Sequence, residues 1–135
     1  MIVNLLRYRF KDEVSEEEKA EALAAMRRTA SVESVSYGAV GQDIGDPSEG
    51  FTHSLLVGVE DLEALRRYIY DPVHLAGDPV ILPRLQRMWA TRFSDDPDPG
   101  LGAKVVRLHE EKLRRYPEWE ALLDAIPETR LSTEV

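Results

Sequence analysis

His74 and Tyr68 are the side chains in this sequence best suited to acid–base chemistry. An imidazole titrates near neutral pH, so that of His74 could remove a proton from a carbon acidified by neighbouring carbonyl groups. The phenol of Tyr68 could donate a hydrogen bond to a substrate oxygen as negative charge develops on it. We therefore take His74 as a candidate general base and Tyr68 as its candidate catalytic partner.

Two further polar side chains are expected to share a pocket with this pair. In the strand pattern of residues 51–59, His53 falls on the same face as its apolar neighbours in the alternation. The phase of the first strand directs Asn4 to that side of the sheet as well. Four polar groups would then converge on an apolar space, which is the usual composition of a small-molecule pocket.

Each candidate also has a structural alternative that the sequence leaves open. His74 could bond a backbone carbonyl, and His53 could be a buried, hydrogen-bonded histidine of the core. Tyr68 lies on an apolar helical stripe and could simply pack in the interior. The amide of Asn4 could be satisfied by the backbone.

Composition and motif spacing argue against several classes of site. The chain has no cysteine, and its histidines lack metal-ligand spacing, so we expect no metal and no cofactor. The net charge of -8 opposes binding to nucleic acid or to an anionic membrane surface. Without a leader pattern or an apolar run of about 20 residues, the protein is expected to be cytoplasmic.

The apolar pattern predicts the element order strand, helix, strand, strand, helix, strand. Ser15 and Glu18 have capping-box spacing at the start of the first helix, and Asp61 is placed to cap the second. The order is typical of an α+β, ferredoxin-like βαββαβ fold with a four-stranded antiparallel sheet and both helices on one face. The predicted strands span residues 2–10, 32–41, 51–59 and 86–93.

The segment before the last strand, residues 73–84, contains Pro79 and Pro83. These prolines predict short broken helical turns instead of a regular helix, leaving a concave wall beside His74. Asp78 follows His74 at i+4 and could orient it, but Pro79 makes a regular helical spacing unexpected.

Residues 95–102 are rich in Asp, Pro and Gly and are predicted to be a linker. They would join a first unit, residues 1–94, to a C-terminal helical extension, residues 103–135. Two amphipathic patterns predict helices in that extension. The second carries an apolar stripe that we expect to dock on the first unit: Trp119, Leu122, Leu123 and Ile126.

The polar residues of the extension are expected to be peripheral. His109 is predicted to lie at the surface or to be half-buried, and Glu110-Glu111-Lys112 to form a solvated face. The tail from Glu128 to Val135 is expected to be loose.

Three segments of the first unit resemble the stress-responsive A/B-barrel (Dabb) family over roughly residues 2–94. They are Leu6 to Val14 with the following Ser15-Glu16-Glu17-Glu18, then Gly50-Phe51-Thr52-His53, and Tyr68-Ile69-Tyr70-Asp71-Pro72-Val73-His74. The last resembles the family signature Tyr-x-x-His-Pro-x-His. Asp71 stands where that signature has its first His, and Asn4 stands where some relatives with cyclase activity carry a pocket His.

The resemblance implies a homodimer in which two sheets pack through the faces that the helices leave bare, forming a barrel. The family includes plant olivetolic acid cyclase, which closes a polyketide chain by aldol chemistry. In that enzyme the residues corresponding to His74 and Tyr68 act as base and assistant. The bare face is only partly apolar in this sequence, since Arg7 and Arg9 alternate onto it with Val3 and Leu5.

Three functions remain open from the sequence. The first is a cofactor-free cyclase or isomerase that uses His74 as base. The second is a non-catalytic, stress-responsive protein that binds a small molecule. The third is a cofactor-free or haem-linked monooxygenase, since some monooxygenases of the related ferredoxin-like dimers use Asn, Trp and His in the cleft, types that Asn4, Trp89 and His74 supply.

Overall fold

The computed structural model describes residues 1–131. Its first strand, β1 (Ile2–Phe10), leads into helix α1 (Glu16–Thr29). The predicted capping box forms: Ser15 Oγ accepts from the Glu18 backbone N–H, and the Glu18 carboxylate accepts from that of Ser15. Two of the four N–H groups that a helix start leaves unpaired are satisfied in this way.

A mixed five-stranded sheet forms the centre of the fold. The chain continues through β2 (Val35–Gln42), β3 (His53–Val59), α2 (Leu62–Ile69) and later β4 (Leu85–Ser94). These strands lie in the antiparallel order β2-β3-β1-β4, and a short fifth strand continues the sheet beyond β4. The fold is therefore the expected α+β, ferredoxin-like arrangement with one added strand.

The helices cover one face of this sheet. Alternation along β1 places Asn4 and Tyr8 under the helices, where both are buried, and Arg7 on the opposite face. On that opposite face, Arg7 forms an ion pair with Asp43 at 2.8 Å and stacks on Phe51, so its charge is matched within the chain. Polar residues on this face are thus compatible with packing against a second sheet.

The segment predicted to be broken turns is instead a regular helix, α3 (Pro72–Ile81). Asp71 caps it by accepting a hydrogen bond from the Val73 N–H, and Pro72 occupies the first helical position, where a missing N–H costs nothing. Pro79 lies inside the helix near its end. The prediction was wrong because it gave Pro79 more weight than the helix-starting signals of Asp71 and Pro72. Helices α2 and α3 are therefore consecutive.

Close packing of α3 on α1 depends on Gly77. A Cβ atom at this position would lie 3.1 Å from Thr29 Oγ1 of α1 and 3.9 Å from the Ala25 carbonyl oxygen. The glycine therefore lets the two helices approach closely, and this sets the position of α3 above the sheet.

The C-terminal extension docks on this unit as expected. It consists of α4 (Leu101–Arg115), α5 (Pro117–Asp124) and β5 (Glu128–Arg130), which pairs parallel with β4. The tail was therefore wrongly expected to be loose over Glu128–Arg130, while residues 132–135 lie outside the described part of the chain. Within residues 1–131, no helix is both long and apolar enough to cross a bilayer.

We expect docking of the extension to contribute substantially to stability, and Ile126 tests this. Its side chain is 4% exposed, so Ile126→Ala should lower the free energy of unfolding by about 2–4 kcal/mol through lost burial and a residual cavity. Chemical denaturation measures the change. Ile44→Ala is the matched control, because Ile44 is 87% exposed and its truncation should change stability by less than about 0.5 kcal/mol. Equal effects of the two variants would contradict a docked extension.

We also expect the uncovered sheet face to form a homodimer. Leu5 and Leu56 are direct cross-strand neighbours on this face. Leu5→Lys should place a charge in the interface and weaken association, measured by sedimentation equilibrium as a shift from twice the 15.3 kDa chain mass towards a single chain. Val73→Lys, on the exposed side of α3, should leave the dimer intact. A monomeric wild type at micromolar concentration would contradict this interface.

Candidate functional site

A cavity of about 290 Å³ lies between the sheet, helices α2 and α3, and the docked extension. The extension closes a side that the first unit alone would leave open, because α4 and α5 both contribute to the lining. The wall is largely apolar, with Leu6, Leu82, Met88 and Leu123 among its residues. A few buried polar side chains interrupt it, and they are described in turn below.

His74 is held in a defined tautomer at this cavity. Its Nδ1 donates to the backbone carbonyl of Tyr68 at 3.0 Å, so in the neutral ring Nε2 carries the lone pair. Nε2 lies 3.7 Å from Asp78 Oδ1, beyond hydrogen-bonding distance. Burial, assisted by the nearby charge of Lys112, lowers the pKa of His74 below its ordinary value. The ring is therefore a neutral acceptor at neutral pH.

Tyr68 and Asn4 lie at the same cavity. The rings of Tyr68 and His74 contact each other with centroids 4.5 Å apart. Burial raises the pKa of Tyr68, so its phenol remains a hydrogen-bond donor at neutral pH. Asn4 is 6% exposed, and its Oδ1 accepts no hydrogen bond from any residue of the described chain. It is thus a buried acceptor available to a ligand.

Asp78 and Lys112 form a second polar pair in the lining. The i+4 spacing of His74 and Asp78 holds after all, because α3 is regular between them. Lys112 Nζ lies 3.6 Å from Asp78 Oδ2 and 4.0 Å from the centre of the Trp119 ring. Burial lowers the pKa of Lys112, and the carboxylate of Asp78 opposes that shift.

His109 faces the cavity with both ring nitrogens engaged. Its Nδ1 donates to the Val105 carbonyl at 3.0 Å, and its Nε2 accepts from Arg92 Nη2 at 2.9 Å. Burial, together with the positive charge of Arg92, lowers the pKa of His109 to about 4. With no nitrogen left for a substrate, His109 is a structural residue that orients Arg92.

His53 and Trp89 do not join these residues. The His53 ring stacks on Tyr8 and contacts Phe10, and its Nδ1 is paired with Thr52 Oγ1 at 2.8 Å. His53 pairs with Tyr8 in the sheet, whereas Asn4 pairs with Val57, so the expected convergence fails by half a strand length.

Trp89 lies on the opposite face of the sheet. It pairs with Arg7 in the β1–β4 register and contacts Phe51, Arg87 and Arg130. The residue set of the monooxygenase hypothesis is therefore divided between two faces, with Asn4 and His74 on one and Trp89 on the other.

The contribution of α4 to the site was not predicted from the sequence. His109 is 6% exposed and Lys112 is 1% exposed, so the prediction of a peripheral His109 and a solvated Lys112 was wrong. A signal was present: Val105, Leu108 and Lys112 follow the i, i+3, i+7 spacing of a buried helix face. The charge of Lys112 and its acidic neighbours obscured that spacing.

The fold and the cavity define this chain as a ferredoxin-like α+β protein with an internal pocket. Residues 2–95 match the sequence profile of the stress responsive A/B barrel domain, Dabb, and the chain belongs to that family. The signature carries Asp71 in place of its first His, and the structure shows that Asp71 caps α3. No relative was found among curated proteins.

Several solved structures share the fold. A protein of Arabidopsis thaliana is 24% identical, with a TM-score of 0.61 over 71% of this chain and 96% of its own. A dimeric ferredoxin-like protein of unknown function from Thermobifida fusca is 21% identical, with a TM-score of 0.61 over 69% and 89%. Hydroxynitrile lyase from Passiflora edulis is 16% identical, with a TM-score of 0.63 over 71% and 94%.

The buried, neutral His109 should make stability depend on pH. Its pKa is about 4 in the folded chain against 6.5 in the unfolded chain, so protons bind preferentially to the unfolded state between these values. The contribution of His109 to the free energy of unfolding is therefore fully present above pH 6.5. It falls as the pH is lowered, by about 2 kcal/mol at pH 5. Urea denaturation at pH 7.5 and pH 5 measures the loss.

His109→Gln, which keeps an acceptor for Arg92, should remove the share of the pH dependence that His109 contributes and leave the share of His74, whose pKa is also lowered by burial. His53→Gln should remove a smaller share, because His53 is only half-buried. Identical pH slopes in wild type and His109→Gln would contradict a neutral buried imidazole at this position.

Proposed function

We propose that this chain binds a small, largely apolar carbonyl compound and catalyses cofactor-free proton transfer on it, with His74 as general base. The observation that carries the proposal is the tautomer of His74. Its Nδ1–H is committed to the Tyr68 carbonyl, which directs the lone pair to Nε2 on the side of Asp78. A base needs its lone pair held in one direction, and the hydrogen bond of Nδ1 to the Tyr68 carbonyl supports that role for Nε2.

The other polar groups of the cavity suit an enolising substrate. The phenol of Tyr68 can donate to an oxygen that gains negative charge as the carbon is deprotonated. Asn4 Oδ1 can accept from a hydroxyl group of the same ligand. Both groups are buried, and the exclusion of water strengthens such hydrogen bonds.

The size and lining of the cavity restrict the ligand. A volume of about 290 Å³ is at the low end of the range for small-molecule pockets. Its apolar wall favours an alkyl or aryl group beside the carbonyl. The reaction class is then a cyclase, isomerase or lyase of the kind that begins with removal of a proton next to a carbonyl group. A structural relative that is a hydroxynitrile lyase supports an enzymatic role for the fold without selecting the substrate.

Deuterium uptake at the α-carbon of phenylacetone, followed by NMR in D2O, tests His74 as base. We expect exchange above the buffer rate in wild type and a fall on the order of 100-fold in His74→Gln, whose amide can still donate to the Tyr68 carbonyl. Because burial lowers the pKa of His74 below 6.5, exchange should be constant near neutral pH and fall only below that value. His53→Gln, a histidine outside the cavity, is the matched control and should exchange at the wild-type rate.

The same experiment separates catalysis from binding alone. Trp119 lies in the cavity wall, so ligand binding should change its fluorescence, and a Trp89→Phe background isolates that signal. Binding without exchange above the buffer rate would favour the non-catalytic, small-molecule-binding alternative. Equal exchange in wild type and His74→Gln would remove His74 from the mechanism.

A further inference from the structure

Lys112 is buried at the cavity with its charge incompletely matched. The side chain is 1% exposed and belongs to the lining. Its only carboxylate contact within 4 Å in the described chain is Asp78, and the 3.6 Å separation is longer than a charge-assisted hydrogen bond. Asp78 Oδ2 in turn accepts no hydrogen bond from residues 1–131. The amine of Lys112 and this carboxylate oxygen therefore face the same space without forming a hydrogen bond to each other.

The surroundings of Lys112 raise the fraction of neutral amine above that of a solvent-exposed lysine. Among residues 1–131, Asp78 is the one buried carboxylate facing it. Arg92 on β4 is a half-buried cation, and burial lowers the pKa of both cavity histidines. The remaining acids of the lining are exposed on α4 and α5: Glu110, Glu120 and Asp124. Burial lowers the pKa of Lys112 itself, which increases the fraction of nucleophilic amine at neutral pH.

We propose that Lys112 is a nucleophilic amine that forms an imine with the carbonyl group of the ligand in this cavity. The inference rests on the proposed function in one respect, since it takes the ligand to be an aldehyde or ketone. It adds a covalent step and places it on α4, outside the residues that match the family.

Imine formation at Lys112 proceeds through a carbinolamine. Neutral Nζ adds to the carbonyl carbon, a C–N bond forms, and the carbonyl oxygen takes up a proton to give a carbinolamine. The C–O bond then breaks, and the oxygen leaves as water with one proton that the amine has lost and one proton taken up from solvent, so that the nitrogen keeps its last proton as a protonated imine. Asp78 lies between Lys112 and His74, at 3.6 and 3.7 Å, and is placed to pass a proton in these steps. The protonated imine acidifies the adjacent carbon, from which His74 removes its proton.

A β-diketone tests the amine without an added reductant. 1-Phenylbutane-1,3-dione condenses with a lysine amine to a stable conjugated enaminone, with loss of one water. We expect the full-length wild-type protein to gain one adduct at pH 7, seen as a near-ultraviolet absorption band and as one mass increment on the peptide that contains Lys112. Lys104→Met should retain the adduct, because Lys104 is an exposed lysine of the same helix.

Lys112→Arg and Lys112→Met should both lose the adduct, and thermal melts establish that each variant is folded. The peptide map of the wild-type protein shows which lysine carries the adduct, so it tests the proposal even if neither variant folds. No adduct on wild type, or an adduct spread over the exposed lysines, would overturn the proposal and leave Lys112 as the structural partner of Asp78.

Deuterium exchange in the Lys112→Met variant separates this proposal from the preceding one. Exchange that falls to the level of His74→Gln supports an imine on the pathway. Wild-type exchange in Lys112→Met, with no adduct on the wild-type protein, overturns the imine while the base function of His74 stands. An adduct on Lys112 without exchange in wild type overturns the base function and supports the imine.

Discussion

The contact between Asp78 of α3 and Lys112 of α4 connects the two parts of this chain and shapes its cavity. Two charged groups are removed from water at a separation of 3.6 Å, so each depends on the other. Removal of one partner from a buried pair typically costs about 3–5 kcal/mol, because an uncompensated charge remains. The pair therefore favours the position of the extension that encloses the cavity, and it places the amine and carboxylate beside His74.

The buried His109 and the half-buried His74 at the cavity show how one residue type serves two purposes. His109 uses both ring nitrogens, one on its own helix and one on Arg92, and is thereby a fixed neutral link between α4 and the sheet. His74 uses only Nδ1 in a hydrogen bond. The difference lies in the partners, since a helix carbonyl and a guanidinium satisfy the first ring completely, whereas the second meets a carboxylate beyond hydrogen-bonding distance.

The two faces of the sheet have separate roles in this architecture. The face under the helices carries Asn4 and the cavity. The other face carries Trp89 and the ion pair of Arg7 with Asp43, in the region that the family resemblance assigns to dimer assembly. Because successive side chains of a strand point to opposite faces, a side chain on one face affects the other face only through the backbone. The proposed assembly surface and the proposed ligand site can therefore vary independently along the same strands.

Local signals in the sequence determined much of the first unit. Ser15 with Glu18 and the alternation of β1 were predicted correctly, because caps and strand periodicity depend on neighbouring residues alone. The family signature brought His74 and Tyr68 together for the same reason, since both lie on one short segment. The pocket position of Asn4 also followed from strand phase.

Contacts between distant segments decided the rest. Helix α3 forms despite Pro79 because Asp71 and Pro72 start it firmly, and β5 exists only because the tail reaches the edge of β4. His53 is on the expected face but at the far end of the strand from the cavity. Periodicity predicts the face of a residue and not its distance from residues of a neighbouring strand. Lys112 is buried because docking of the extension outweighs the cost of desolvating its amine, and that balance exists only when the fold brings Asp78 and Trp119 to it.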